Sequence, residues 1–212
     1  HSMKRNLYIL CRWTFVLFGF SAVCWTAGCS VARKGAGAMM APMASNLSTS
    51  LQRQSDLQLV EDGAPAFLLL LDGLAESSPG NPDILLAASR ARIAYAAAFL
   101  DKTEAERARM MYAKARDYGL AVLVRNKRFK AVADQPVDVF KTALLSFGKK
   151  DVPALYTAST AWTGWIVNSP DSVDALSQWP KAMALMQRVL ELEPSYQSGG
   201  PDMFFGVYCA VH

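Results

Sequence analysis

The residue whose type and setting promise a defined chemistry is Cys29, in the run Thr26-Ala27-Gly28-Cys29-Ser30. A thiol behind small residues, closing an apolar stretch that opens on Lys4 and Arg5, is the layout of a bacterial export signal cut just before a cysteine that receives lipid. The expected chemistry is lipid attachment at Sγ and hydrolysis of the Gly28–Cys29 peptide bond, and the product is a chain that starts at Cys29 and hangs from a membrane surface. Thr26 departs from the Leu usual at its place, and a plain signal peptide or an uncleaved anchor are the competing readings. A membrane span needs about 20 apolar residues. Leu7 to Ala27 has 21, but Arg12 interrupts them and leaves 15, from Trp13 to Ala27, which suits a signal core better. His1 and Ser2 precede Met3 and read as the remnant of a tag. Ser30 supplies no acid that would hold the protein at the inner membrane, so outer-membrane attachment facing the periplasm is the expectation.

Other candidates for chemistry are weaker. The two histidines are His1 and His212, so no His-dependent triad, general base or metal cluster is expected. Cys11 and Cys24 leave with the leader and Cys29 is acylated, so Cys209 stands alone and the mature chain has no disulfide to form. Asp171 and Asp174 form a carboxylate pair of a kind that serves acid–base work. Yet Ser169-Pro170-Asp171-Ser172 is the composition of a turn and an N-cap. Phosphate-cradling glycine loops, zinc spacings and nucleophile elbows do not occur. No enzyme activity, cofactor or metal is expected. Charge excludes a further class. The leader holds Lys4, Arg5 and Arg12 and no acid, so the 22 basic residues fall to 19 against 18 acidic ones. A body so near neutrality gives no reason to expect nucleic acid, which requires clustered cations. The one basic run, Arg125-Asn126-Lys127-Arg128-Phe129-Lys130, reads as a solvated helix end.

The elements that carry the remaining residues are predicted to be helices behind a flexible tether over 29–55, a stretch of small and polar residues that buries too little to fold. Leu57, Val60, Ala64, Phe67, Leu68, Leu71 and Leu74 form a helical stripe ended by Ser77-Ser78-Pro79-Gly80. Asn81-Pro82-Asp83 caps a second helix running through Leu100. Thr103 with Glu106 is a capping-box pattern for a third, with Ala108, Met111, Tyr112, Ala115, Tyr118, Gly119 and Val122 on its inner face. A short fourth starts at Pro136 and carries Phe140, Leu144 and Phe147 to Gly148. Asp151-Val152-Pro153 caps the next, which runs through Trp162 and Trp165 to about Val167. Pro180 opens another that ends at Pro194, and Gly199-Gly200-Pro201-Asp202 starts the last. No period-two alternation competes, so the body over 56–212 is expected to be all-α.

Two stretches echo each other. Ala66 to Leu86 and Ala182 to Phe205 each read helix, acidic end, Pro and Gly turn, then a Pro-Asp pair opening an apolar helix. Stacked antiparallel hairpins of the tetratricopeptide kind have this grammar, and an ordinary helical bundle that reuses turn chemistry is the alternative.

Asp151-Val152-Pro153-Ala154-Leu155-Tyr156, then Ala161-Trp162-Thr163-Gly164-Trp165-Ile166, Leu185 to Leu192, Ser195-Tyr196, Gly199-Gly200 and Phe205-Gly206-Val207-Tyr208 together resemble the T-component family of TRAP transporters. The similarity is strong over Asp151 to Tyr208 and architectural from Asp56 to Lys150. The resemblance implies a periplasmic lipoprotein with tetratricopeptide-like helices. It also implies a non-catalytic partner of the transporter's substrate-binding protein, and a homotrimer with openings that hold or pass an apolar ligand. Such proteins continue into further helices, so the end at His212 reads as a C-terminal truncation or as a member without a terminal cap.

Contact residues drawn from these strings are Tyr156, Trp162, Trp165, Arg188, Tyr196, Phe205 and Tyr208. The two indoles, three residues apart, are expected as neighbours beside Gly164, with core packing as the commoner role for such a face. Arg188 pairs with a carboxylate inside the fold or meets an anionic partner. Glu191 and Glu193 are taken not to share its face, so no mate is assigned. The function expected is that of a lipid-anchored scaffold for the TRAP binding protein. A general tetratricopeptide-like outer-membrane assembly or interaction factor is the alternative.

Overall fold

The computed structural model describes residue 50, residues 53–101 and residues 103–211, with side chains to 206. Cys29, the leader over 1–28 and the tether up to 49 lie outside the described residues. Every regular element among those described is helical, in agreement with the all-α expectation.

Side-chain caps start four of the helices described. α1 (Leu57–Ser77) begins where the Asp56 carboxylate accepts from the Leu59 N–H at 3.0 Å. α2 (Pro82–Tyr95) begins on Asn81, whose side chain accepts from the N–H groups of Asp83 and Ile84, and it runs on as a π-helical turn over Ala96–Leu100. α3 (Ala105–Leu123) lacks the expected capping box. The Thr103 hydroxyl instead donates back to the Phe99 carbonyl at 3.0 Å, closing the preceding helix, and Glu104 heads α3.

The cations of the basic run are exposed at a helix end, as expected, and the run also forms an element of its own. Asn126 accepts from the N–H groups of Arg128 and Phe129 and starts the single turn α4 (Lys127–Lys130), which carries the fully buried Phe129 into the core. α5 (Val137–Leu144) follows. A 3₁₀ turn over Lys149–Asp151 leads into α6 (Val152–Val167), and the expected Asp151 side-chain cap of that helix is not formed, because the carboxylate accepts from the Gly148 N–H behind it at 2.9 Å. Ser172 caps the short α7 (Val173–Ser177), as its composition suggests. α8 (Trp179–Leu192) and α9 (Tyr196–Val211) complete the described chain, α9 being kinked by a non-helical, left-handed turn over Gln197, Ser198 and Gly199.

The helices stack largely in chain order: α1 on α2, α2 on α3, α3 on α6, α6 on α8 and α8 on α9. α2 also touches α6, and α5 lies on α8. Two buried serines pin successive layers in the same way. Ser89 of α2 donates to the Ala115 carbonyl of α3 at 2.7 Å, and Ser159 of α6 donates to the Ala182 carbonyl of α8 at 2.8 Å. Where α3 crosses α6, a Cβ on Gly119 would meet the Ala158 Cα at 2.9 Å, so only glycine admits this approach.

The main core lies between α3, α4, α5, α6 and α8. The Phe129 ring packs edge-on to Phe140 at 5.1 Å and to Phe147 at 5.4 Å, and Trp162 adds a further edge contact to Phe140. Each such ring, fully buried, stabilises the fold by roughly 1.5–3 kcal/mol through area alone.

A buried ion cluster ties α1 to α2 and α3. The Asp72 carboxylate accepts from Arg92 of α2 and from Lys114 and Tyr118 of α3, the last two at 2.7 and 2.8 Å. Burial by itself would raise the Asp72 pKa. The hydrogen bonds from Lys114 and Tyr118 and the Arg92 guanidinium outweigh it, and the carboxyl titrates below its ordinary value. Tyr118 is pushed the opposite way, by burial and by the same carboxylate.

Candidate partner and ligand surface

The predicted contact residues fall into three environments. Trp162 is core: its side chain packs on Phe140, and its indole N–H donates to the Gln178 side-chain oxygen at 3.0 Å. Trp165 turns toward α3, where the Arg116 guanidinium lies 4.2 Å above its ring. Both indoles pack on the main core, Trp162 buried within it and Trp165 at its edge, where Trp165 also borders the cluster of Tyr95 and Tyr112. The room beside Gly164 is also taken: a Cβ there would lie 2.4 Å from two carbons of the Tyr112 ring. Tyr112 itself is buried, and its hydroxyl donates to Asp101 at 2.9 Å. Burial and that carboxylate raise its pKa.

Tyr156 and Tyr196 do come together. Tyr156 of α6 and Tyr196 at the start of α9 pack edge-on with centroids 5.2 Å apart. A Cβ on Gly200 would sit 2.7 Å from the Tyr156 hydroxyl oxygen, so the glycine pair lets α9 close over this ring. Burial, with the neighbouring Tyr196 phenol, pushes the Tyr156 pKa up, and it stays a neutral hydrogen-bonding group at any physiological pH. Both tyrosines remain partly accessible.

The third environment surrounds Arg188. On α8, Arg188 donates to the Phe147 carbonyl and to Glu191, each at 2.9 Å. Glu191 lies three residues on and shares its helix face, so the reading that excluded it is corrected: i,i+3 pairs are neighbours on an α-helix. Arg188 forms part of the wall of a groove of about 560 Å³ between α5, α8 and α9. Leu144, Met183 and Phe205 supply apolar surface, and Lys141, Gln187 and Glu191 supply polar groups. Phe205 reaches the groove from α9 and packs edge-on to Phe204 at 5.5 Å. Tyr208 belongs to the α9 backbone, but its side chain lies outside those described.

Sequence reasoning named Arg188 and Phe205 but missed Lys141, Met183 and Gln187. Met183 and Gln187 were legible as one stripe of α8 with Glu191, each four residues from the next. Lys141 was not, since it arrives from α5 through tertiary packing. Asp171 and Asp174 show no convergence, as Asp174 accepts from Gln178 at the α7–α8 junction. Among the described residues no group of three or more His, Cys, Asp or Glu could hold a metal ion, and no helix is long and apolar enough to cross a membrane.

An all-α stack with aromatic and basic side chains gathered around its last helices is the class that this geometry defines. The TRAP transporter T-component family model matches residues 53–212, from just ahead of α1 to the last residue, and the chain belongs to that family. The family is a transporter component and not an enzyme family. No curated protein matches the chain.

Proposed function

We propose that the protein is a lipid-anchored, periplasm-facing scaffold that binds the solute-binding protein of a TRAP transporter and holds or passes a small apolar ligand. The family match over 53–212 carries this reading, because it supports an accessory role beside such a transporter. The recurring serine pins between successive helices support tetratricopeptide-like stacking, a form that presents extended faces to partners. Half-buried Tyr156 and Tyr196 offer rigid, amphipathic contact area of the kind enriched where proteins dock. Cys29 supplies the attachment to the outer membrane, and three copies form the working assembly.

Affinity recovery of the full protein from its own cells tests the partner. The expected result is an extracytoplasmic solute-binding protein in the eluate, and recovery of only envelope-assembly proteins would overturn it. Labelling with radioactive palmitate tests the anchor. Wild type is expected to take label and Cys29→Ala to take none, and equal labelling would remove the anchor from the proposal.

A further inference from the structure

The groove between α5, α8 and α9 has a definite chemical character. Its wall contains one cation held in place, Arg188, whose side chain is 17% exposed and whose guanidinium is oriented by the Phe147 carbonyl and Glu191. Those two contacts engage two of the five guanidinium N–H donors. Nε lies buried and meets no acceptor among the described residues. A second cation, Lys141 of α5, belongs to the same lining and forms no ion pair with any described carboxylate. Glu191 is the only acid in the lining, so the groove carries one positive charge more than it neutralises. The same lining carries the apolar side chains of Leu144, Met183 and Phe205. The volume, about 560 Å³, falls in the range of small-molecule sites.

We infer that this groove binds an amphipathic monocarboxylate, with its carboxylate on Arg188 and Lys141 and its hydrocarbon on Leu144, Met183 and Phe205. A neutral apolar molecule would leave the excess charge unanswered. A dicarboxylate that set one charge on each of Arg188 and Lys141 would leave the apolar side chains of Leu144, Met183 and Phe205 without a matching surface. An amphipathic anion meets both demands, and its carboxylate competes with Glu191 for the guanidinium fork, where bidentate carboxylate recognition is strongest. This inference deepens the ligand-holding part of the proposed function and rests on it. It is independent of which protein the scaffold docks.

Titration calorimetry with sodium decanoate, kept below its micelle concentration, against the full chain is the test, with decanol as the neutral control. Saturable one-site binding of decanoate is expected, tighter than decanol. Arg188→Met should weaken decanoate by about tenfold or more and leave decanol unchanged. Glu191→Gln removes the competing carboxylate and should tighten decanoate several-fold, an effect that a merely structural Arg188 would not produce. Lys141→Gln, at an exposed position, should weaken decanoate about threefold with the fold intact. The last two variants carry the test if Arg188→Met does not fold. Absence of saturable binding, equal affinity for decanol, or indifference to both Glu191→Gln and Lys141→Gln would overturn the inference. Partner recovery from cells is measured separately, so failure there and failure here are distinguishable.

Discussion

Gly164→Ala isolates the contact between α3 and α6. The added Cβ would sit 2.4 Å from Cδ1 and Cε1 of Tyr112 and 2.8 Å from Cγ, far inside van der Waals contact. The ring cannot swing away freely. It is 4% exposed, and its hydroxyl is tied to Asp101 at 2.9 Å. Relief must come from moving α3 against α6, the most extensive helix pairing in the fold. Overpacking of this kind costs about 1–3 kcal/mol, and the lack of slack puts this site near the upper end. In a domain of this size each kcal/mol lowers the thermal midpoint by about 2–4 °C, so a drop of roughly 5–10 °C is expected by circular dichroism or calorimetry. Tyr112→Ala supplies the other arm of a double-mutant cycle. In that background Gly164→Ala should cost nothing, giving a coupling of about 2 kcal/mol. The same substitution at Gly63 or Gly73, on the exposed face of α1 with nothing within 4 Å of the new Cβ, should stabilise by about 0.4–1 kcal/mol. A neutral Gly164→Ala, or a cost undiminished by removal of the Tyr112 ring, would refute the reasoning.

Asp72→Asn leaves Arg92 and Lys114 facing a neutral amide and should cost about 3–5 kcal/mol by denaturant unfolding at pH 7. Because the folded-state pKa of Asp72 lies below its ordinary 3.8, its stabilisation is complete above that value and is lost as pH falls through the depressed folded pKa. Wild type should thus lose stability below about pH 4 more steeply than Asp72→Asn, and parallel acid curves would contradict the assignment. Ser198, at φ 58°, sits in the left-handed region between Gln197 and Gly199. Ser198→Gly should raise stability by about 0.5–1 kcal/mol, read as a rise in denaturation midpoint, where the same change in a helix interior would lower it. Phe129→Ala empties a fully buried position between two rings and should cost about 3–5 kcal/mol by the same measure.

Helix starts were legible where the cap lies within three residues of the groups it satisfies. Asn81 and Ser172 act on N–H groups at that range and were read as caps from residue type, and Asp56 does the same without having been read so. Thr103 failed because its hydroxyl had a competing acceptor behind it, the Phe99 carbonyl of a helix that ends in a π turn. The all-α class followed from apolar period and needed no tertiary information. Asp72 illustrates what did. Its partners stand 20, 42 and 46 residues away, and no local pattern marks an acid on an apolar stripe as the centre of an ion cluster.

The candidate surface divides along the same line. Glu191 was within reach of the sequence, since three residues bring two side chains to one side of a helix. The aromatic string on α6 was not. Residues three apart differ by about 60° around a helix axis, which keeps them on one stripe but decides nothing about what covers each. α3 arrives on the Trp165 side with Tyr112 and Arg116, while α5 and the α7–α8 junction arrive on the Trp162 side with Phe140 and Gln178. Tyr156 stays partly open because what approaches it is the glycine pair and the left-handed turn of α9, which lower a ring edge and no bulky side chain onto it. A contact surface in a helical stack is thus set by the neighbour that arrives at each turn, and small residues such as Gly164 and Gly200 mark where a neighbour comes close, not where a space is left for a ligand.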